Sequence, residues 1–457
     1  MWRSRKLSIK GKITLLRSQV MPLILYPASV LFIPEQVIKE LDEMFFSFIW
    51  PSQKHHVKKE VLIQSIEEGG LKMPDMKTMI KSVKVTWTKR LIGNNNFCKV
   101  AKSVTKINNF NEYLSFKNDA RYISKEIPQF YKQIFEYWFQ LYSSQPISTN
   151  DILNEKLWNN KYILIDEKPV YYKTWHQHGI KIIHDIITQH GDFYKEDDLV
   201  RKYNIHVDTM AYNSLKSSIP QSWHQQMKNP TTFVAKSTEN QILLHINMIE
   251  KPLQLLRCKD FYWEFIRKKT VQPKCISKWE ESYFYVEFDW RYICTLPYIV
   301  ARETHLQSLQ YQIINRFIPC KYVLKIWKKE ESDLCHICNE SDTIEHLFTK
   351  CQRVMPFWNS FNHWFTNSTE TNINLHTLDI LFGIINLNED DILNNLNFCI
   401  LFAKSFIYDC YKADKECSFA LFKNKLKSRL DAESVILNLR GNGVSFHTKW
   451  SHIYDAL

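Results

Sequence analysis

The sequence predicts a mainly α, multi-domain helical protein with a few short strands. Three observations point there. Only 9 of 457 residues are Gly, about 2% against a usual ~7%, too few for a fold rich in tight hairpins, phosphate loops or βαβ turns. Hydrophobic residues make up 45% and aromatics 14%, which is the composition of a packed globular chain and not a disordered one. Apolar residues recur mostly at helical spacing, and the length suits roughly three domains with cores of their own.

Taken in order, Ser8 is placed to cap a helix carrying Ile9, Ile13, Leu16 and Val20 on one face, with a stop expected at Met21 because Pro22 follows. Pro34 opens a second helix with Val37, Ile38, Leu41, Met44, Phe45, Phe48 and Ile49 in register, ended by Trp50-Pro51. Pro74-Asp75 starts a third, through Met76, Met79, Ile80, Val83 and Trp87. The stretch 91–145 reads only as polar and aromatic, and 146–250 as short helices between turns. Tyr162–Ile165 and the alternating Tyr283, Tyr285 and Phe288 of SYFYVEFDW look like strands. Further helices are expected over 301–317, from Val354 to Phe365, and twice between about 390 and 435.

Charge is placed unevenly. Residues 1–90 hold 16 Lys and Arg against 8 Asp and Glu, which is +8 of the net +12. Residues 1–34 contain Arg3, Arg5, Lys6, Lys10, Lys12 and Arg17 and no acid, and a basic loop follows with Lys54, Lys58 and Lys59. Such a field attracts polyanions, so RNA or DNA is the expected partner. Eight of the eleven cysteines lack any framework spacing, which suits reduced thiols and an intracellular location in cytoplasm and nucleus. The apolar run Val20–Ile33 is shorter than the ~20 residues a membrane span needs and is broken by Pro22 and Pro27. No membrane association is expected.

One segment carries metal chemistry. CHICNESDTIEHLFTKC sets Cys335, Cys338, His346 and Cys351 in the pattern C-x2-C-x7-H-x4-C. Two thiolates from a tight turn, completed by a His and a Cys from a following helical turn, form a tetrahedral donor set suited to Zn²⁺. Four protein ligands leave no open position, so one structural zinc is expected, stabilising a small module. Asp342 or Ser341 is placed to cap the turn bearing His346, and His336 should face solvent. Cys320 is a weaker candidate ligand.

The acidic pairs Asp197-Asp198 and Asp390-Asp391 lack the apolar strand context of a polymerase site and read as helix starts. His176, His178 and His184 lack an acid or Cys at ligand spacing and read as packing and surface residues. No G-x-x-x-x-G-K, G-x-S-x-G or H-E-x-x-H is present.

The stretch WRSRKLSIKGKITLLRSQVMPLILYPASVLFIPEQVIKELDEMFFSFIW resembles the thumb that follows the palm in LINE-type (non-LTR retrotransposon) reverse transcriptases. EEGGLKMPDMKTMIKSVKVTWTKRL, KTWHQHGIKIIHDIITQHGDF and AYNSLKSSIPQSW are similar to later segments of those proteins, and CHICNESDTIEHLFTKCQRVMPFW resembles their zinc-binding domain. The resemblance is collinear and places Cys335, Cys338, His346 and Cys351 at the family's CCHC ligand positions. It implies a basic thumb-like region over 1–92, a connecting region over 93–290, a zinc-binding domain over 291–366 and a helical C-terminal region over 367–457. It also implies that the endonuclease and the palm with its aromatic-x-Asp-Asp motif would precede Met1. The expected function is therefore a non-catalytic segment binding RNA or single-stranded DNA, the element's own RNA first. Its basic contacts would be Arg3, Arg5, Lys6, Lys10, Lys12, Lys54, Lys58 and Lys59. The alternatives are a co-opted scaffold for protein partners and a truncated copy without a selected function.

Overall fold

The computed structural model describes residues 7–50, 55–142, 148–228, 234, 242–246, 249–385, 390–441 and 443–457. The chain is 62% helix and 4% strand, so the mainly α class holds. It forms two compact units interleaved in sequence: Met1–Val20, Glu43–Pro74 and Thr270–Leu457 make one, and Met21–Asp42 with Asp75–Lys269 make the other.

In the second unit the helix Met76–Thr86 packs against Cys258–Arg267, Gln129–Tyr142 and Met21–Val30. Asp75 starts it as expected: its buried carboxylate takes the Thr78 N–H at 3.1 Å and the Lys269 ammonium at 2.7 Å. Lys84 lies on the buried face, donates to the Leu31 carbonyl at 2.6 Å and sits 4.3 Å from the Phe130 ring centre. Burial brings its amine down to about 8.

The first helix begins where expected, with the Ser8 hydroxyl accepting from Gly11 N–H at 3.1 Å. It does not stop at Met21. Leu16–Val20 open into a π turn and the chain continues as α-helix over Met21–Val30. The π turn resets the register, so Pro22 falls in a first turn, where a missing N–H costs least.

Leu164–Ile165 does pair as a strand, antiparallel to Lys168–Pro169. Asp166 and Glu167 close that hairpin at positive φ (49° and 60°). Leu243–Ile246 pairs with Ile249–Pro252 in a second hairpin. The strand expected in SYFYVEFDW is absent: the helix Lys274–Ser282 ends into it. Trp279 and Phe288 both meet Phe382 edge-on, at 5.0 and 5.6 Å. Without a partner strand there is no ladder to form: Phe288 and Trp290 find burial against Phe382, while Phe284 and Tyr285 stay 86% and 72% exposed.

The first unit is a helical core. Trp290–Val300, Thr304–Ile314, Met355–Thr369, Asp391–Lys412, Phe419–Leu439 and Gly443–Tyr454 supply it. Phe422 is fully buried and touches the rings of Phe357, Phe361, Trp364 and Phe406. These helices form the wall on which the cysteine module rests. Asp390 caps its helix through Ile392 N–H at 2.8 Å, and Asp197-Asp198 lie in a first helical turn, the role expected of both acidic pairs.

Candidate metal centre

A bridge between Leu334 and Ser341 holds the base of a knuckle. Inside it Cys335 N–H donates to the Glu340 carbonyl at 2.8 Å, and Asn339 N–H returns to the Cys335 carbonyl at 2.9 Å. Asn339 takes the left-handed conformation, φ 55°, that lets the chain reverse so tightly. The reversal turns the Cys335 and Cys338 thiols to one side.

The other two candidate ligands come from one turn. His346–Lys350 is a π turn, closed by Cys351 N–H donating to the His346 carbonyl at 2.9 Å. Residues five apart diverge on a regular 3.6-residue helix, and the wider turn brings them back to one side. The H-x4-C spacing is thereby used. The cap on this turn is Thr343, whose hydroxyl accepts from His346 N–H at 3.1 Å, and not Asp342 or Ser341. Asp342 is drawn inward, accepting the Lys321 N–H at 3.1 Å and the Tyr411 hydroxyl at 2.6 Å. Ser341 donates to Asp333 at 2.8 Å.

The ligand atoms of Cys335, Cys338, His346 and Cys351 all lie within 4.8 Å of one another. The Cys351 sulfur is 3.7 Å from that of Cys338 and 4.0 Å from that of Cys335. A tetrahedral zinc with Zn–S bonds of ~2.3 Å requires sulfurs about 3.8 Å apart, so the thiols stand at metal spacing. His346 is 3% exposed; its Nδ1 faces the Glu340 carboxylate at 3.3 Å, while its Nε2 is buried without a hydrogen-bond partner. A carboxylate on Nδ1 keeps the proton there and leaves the Nε2 lone pair for a metal. The orphaned nitrogen and the thiol spacing both fit the ion. Cys338 also accepts the Gln352 N–H at 3.3 Å.

The electrostatics agree. Burial pushes the Cys335 thiol up, but the N–H groups of Cys338 and Ile337 and the side chains of His346 and Cys351 outweigh it, bringing it down to about 7. Burial pushes Cys351 up to about 12, with Cys338 and Cys335 adding to the rise. Neighbouring thiolates repel, and a divalent cation removes that conflict by charge neutralisation. Among the described residues this is the single His, Cys, Asp and Glu group placed to hold a metal. His176, His178 and His184 do not join one: His176 faces Glu112 at 3.4 Å and His178 turns back on the Thr174 carbonyl. His336 is exposed, as expected, beside Asp414 at 3.2 Å and Arg353. Cys320 stays outside the cluster.

Of the basic residues expected to bind nucleic acid, Arg3, Arg5, Lys6 and Lys54 lie outside the described residues. Lys58 is exposed and Lys59 half-buried. Lys10 and Lys12 are partly taken up by the protein itself. Lys10 sits 4.9 Å from the Tyr298 ring centre, and Lys12 donates to the Ile49 carbonyl at 3.0 Å. Burial lowers both amines, and the charges of Arg17 and Lys72 add to the effect on Lys10. Sequence reasoning missed Lys321, Arg353, Tyr411 and Lys412 beside the cluster. Arg353 could have been noticed from its place two residues after Cys351; the others arrive from remote helices and leave no local signal.

Fold and cluster together define a helical protein bearing a Cys3His cluster with the spacing to hold a metal ion. No family model matches the chain. A segment of 102 residues is 28% identical to an Arabidopsis thaliana protein named "Putative ribonuclease H protein". The similarity covers 21% of this chain and 16% of that protein, so the two share only a small part of their lengths. No described helix is long and apolar enough to cross a membrane.

Proposed function

We propose that the chain is a non-catalytic nucleic-acid-binding segment of a LINE-type retrotransposon reverse transcriptase, holding one structural Zn²⁺ through Cys335, Cys338, His346 and Cys351. The observation that carries the reading is the cluster: three thiols and an orphaned imidazole nitrogen at metal spacing in the collinear context described above. The Arabidopsis relative's name, ribonuclease H, supports a nucleic-acid-related role. Bound zinc would clamp the knuckle and the π turn together and, with four protein ligands, would activate no water. The residues around it would then work as a fixed surface. Lys and Arg pair with phosphates, and bases left unpaired meet aromatic or guanidinium planes.

The test is binding of fluorescent single-stranded RNA across a salt series. With about six phosphates neutralised, log K should fall with log salt at a slope of roughly −4, at ~0.7 per phosphate. Salt-insensitive binding, or none at low salt, would remove the reading. A second reading is a scaffold for protein partners. It is favoured by the helix Met21–Val30, which leaves Leu23 and Tyr26 each 77% exposed and Leu31 beside them 56% exposed.

A further inference from the structure

Beside the cysteine cluster lies a cavity of about 280 Å³, walled on one side by Cys335 and Cys351. That volume sits at the lower edge of small-molecule pockets, which run from ~300 Å³ upward, so it suits one ring system and not an extended ligand. Its floor is apolar, built from Leu324, Leu347, Val354 and Ile407, and Tyr411 adds an aromatic wall. One polar group is set deep within it. Asp342 is 2% exposed, and both of its hydrogen bonds, from Lys321 N–H and the Tyr411 hydroxyl, fall on Oδ2. Oδ1 accepts from none of the described residues. That oxygen is left as an acceptor for a ligand N–H entering the cavity.

The rim is ionic. Lys321, Arg353 and Lys412 line it with Glu330 and Asp414, and Arg353 is held by Asp414 at 2.9 Å. An apolar slot for a flat ring, one acceptor at depth and cations at the mouth match a base whose own phosphates stay outside.

We propose that this cavity takes one unstacked nucleobase carrying an exocyclic amino group, from a single strand bound to the chain, with Asp342 Oδ1 accepting the amino N–H. The inference rests on the nucleic-acid reading above and adds to it a base preference. Cytosine presents an amino group at C4 where uracil presents a carbonyl oxygen. That oxygen would face the carboxylate and repel it. Arg353, Lys321 and Lys412 supply phosphate contacts that do not distinguish the two.

The experiment compares fluorescent 12-mers of oligo-rC and oligo-rU, equal in charge and ring size, on the zinc-loaded full chain. Wild type should bind oligo-rC about tenfold tighter, the scale of a hydrogen bond to a charged acceptor. Asp342→Asn keeps an oxygen for Lys321 and Tyr411 and turns an NH2 group into the cavity, so it should reverse the preference toward oligo-rU. Leu324→Trp, on the cavity floor, should abolish the preference while leaving the salt slope as in wild type. Zinc content and melting temperature are measured alongside to confirm that both variants fold. Equal binding of the two oligomers by wild type overturns the inference. So does a preference for oligo-rC that persists in both folded variants. Wild type binding neither oligomer at low salt would overturn the nucleic-acid reading, and this inference with it.

Discussion

Lys404 brings a charge-bearing group into the middle of a hydrophobic helix bundle. It is 2% exposed, and its amine donates to the Gln310 side chain at 2.6 Å and to the Leu381 carbonyl at 3.0 Å. No carboxylate of the described residues offsets the cost, and burial alone brings its pKa down to about 7, whereas an unfolded Lys stays near ~10.4. Between those values the unfolded chain binds the extra proton, so stability should rise as pH climbs from about 7 toward 10. Below pH 7 both states are charged and the full burial penalty is present. Urea unfolding of wild type and Lys404→Met at pH 6.5 and pH 9.5 isolates the effect. The wild type should gain on the variant at the higher pH; an unchanged difference would mean the amine is not desolvated. Nothing in the local sequence marks this residue, because its burial is set by Gln310 and Leu381, remote in the chain. The four candidate metal ligands are the opposite case: their type and spacing were visible, because a knuckle and a single turn are local structures.

The elements show where periodicity is informative and where it fails. The helices starting at Ser8, Asp75 and Asp390 were readable because a capping side chain marks each beginning. Two features escaped. Pro22 looked like a stop, and the π turn before it was not foreseeable from composition. Gln129–Tyr142 went unread although its apolar residues keep helical spacing, since its aromatics Phe130, Tyr131, Phe135, Tyr137, Trp138 and Phe139 suit strands as well and no capping side chain marks its start. The second π turn, His346–Lys350, matters more, because it aligns two of the four candidate ligands. Its cap is Thr343, so Thr343→Ala should cost ~1 kcal/mol of stability, the usual loss for a helix cap, and should weaken zinc retention. Ser341→Ala should spare zinc, since the Ser341 hydroxyl is committed to Asp333 and not to the turn. Competition with a chromogenic zinc chelator ranks the two; Ser341→Ala losing metal more readily than Thr343→Ala would contradict this reading of the turn.

For the whole molecule, the net charge of +12 is the property visible without any structure. The structure changes which residues can express it. Lys10 and Lys12 are partly held by Tyr298 and Ile49, so reversing them would disturb packing as well as charge. Arg17 and Lys58 are exposed and make the cleaner pair. Arg17→Glu with Lys58→Glu should weaken RNA binding for all sequences alike and make the salt slope shallower by ~0.7 for each phosphate left without its cation. A slope unchanged in the double variant would place the phosphate-binding residues elsewhere.

Metal binding is the property on which the rest depends. Zinc-finger peptides gain about 10–16 kcal/mol on binding zinc, enough to decide whether the knuckle folds. The measurement is zinc per chain by mass spectrometry of purified protein, with zinc-edge X-ray absorption to identify the donors. One zinc per wild-type chain bound by three sulfurs and one nitrogen, and none in Cys338→Ser, is the predicted result. A wild-type chain without stoichiometric zinc, or a Cys338→Ser variant that keeps it, would contradict a structural zinc site at these four residues.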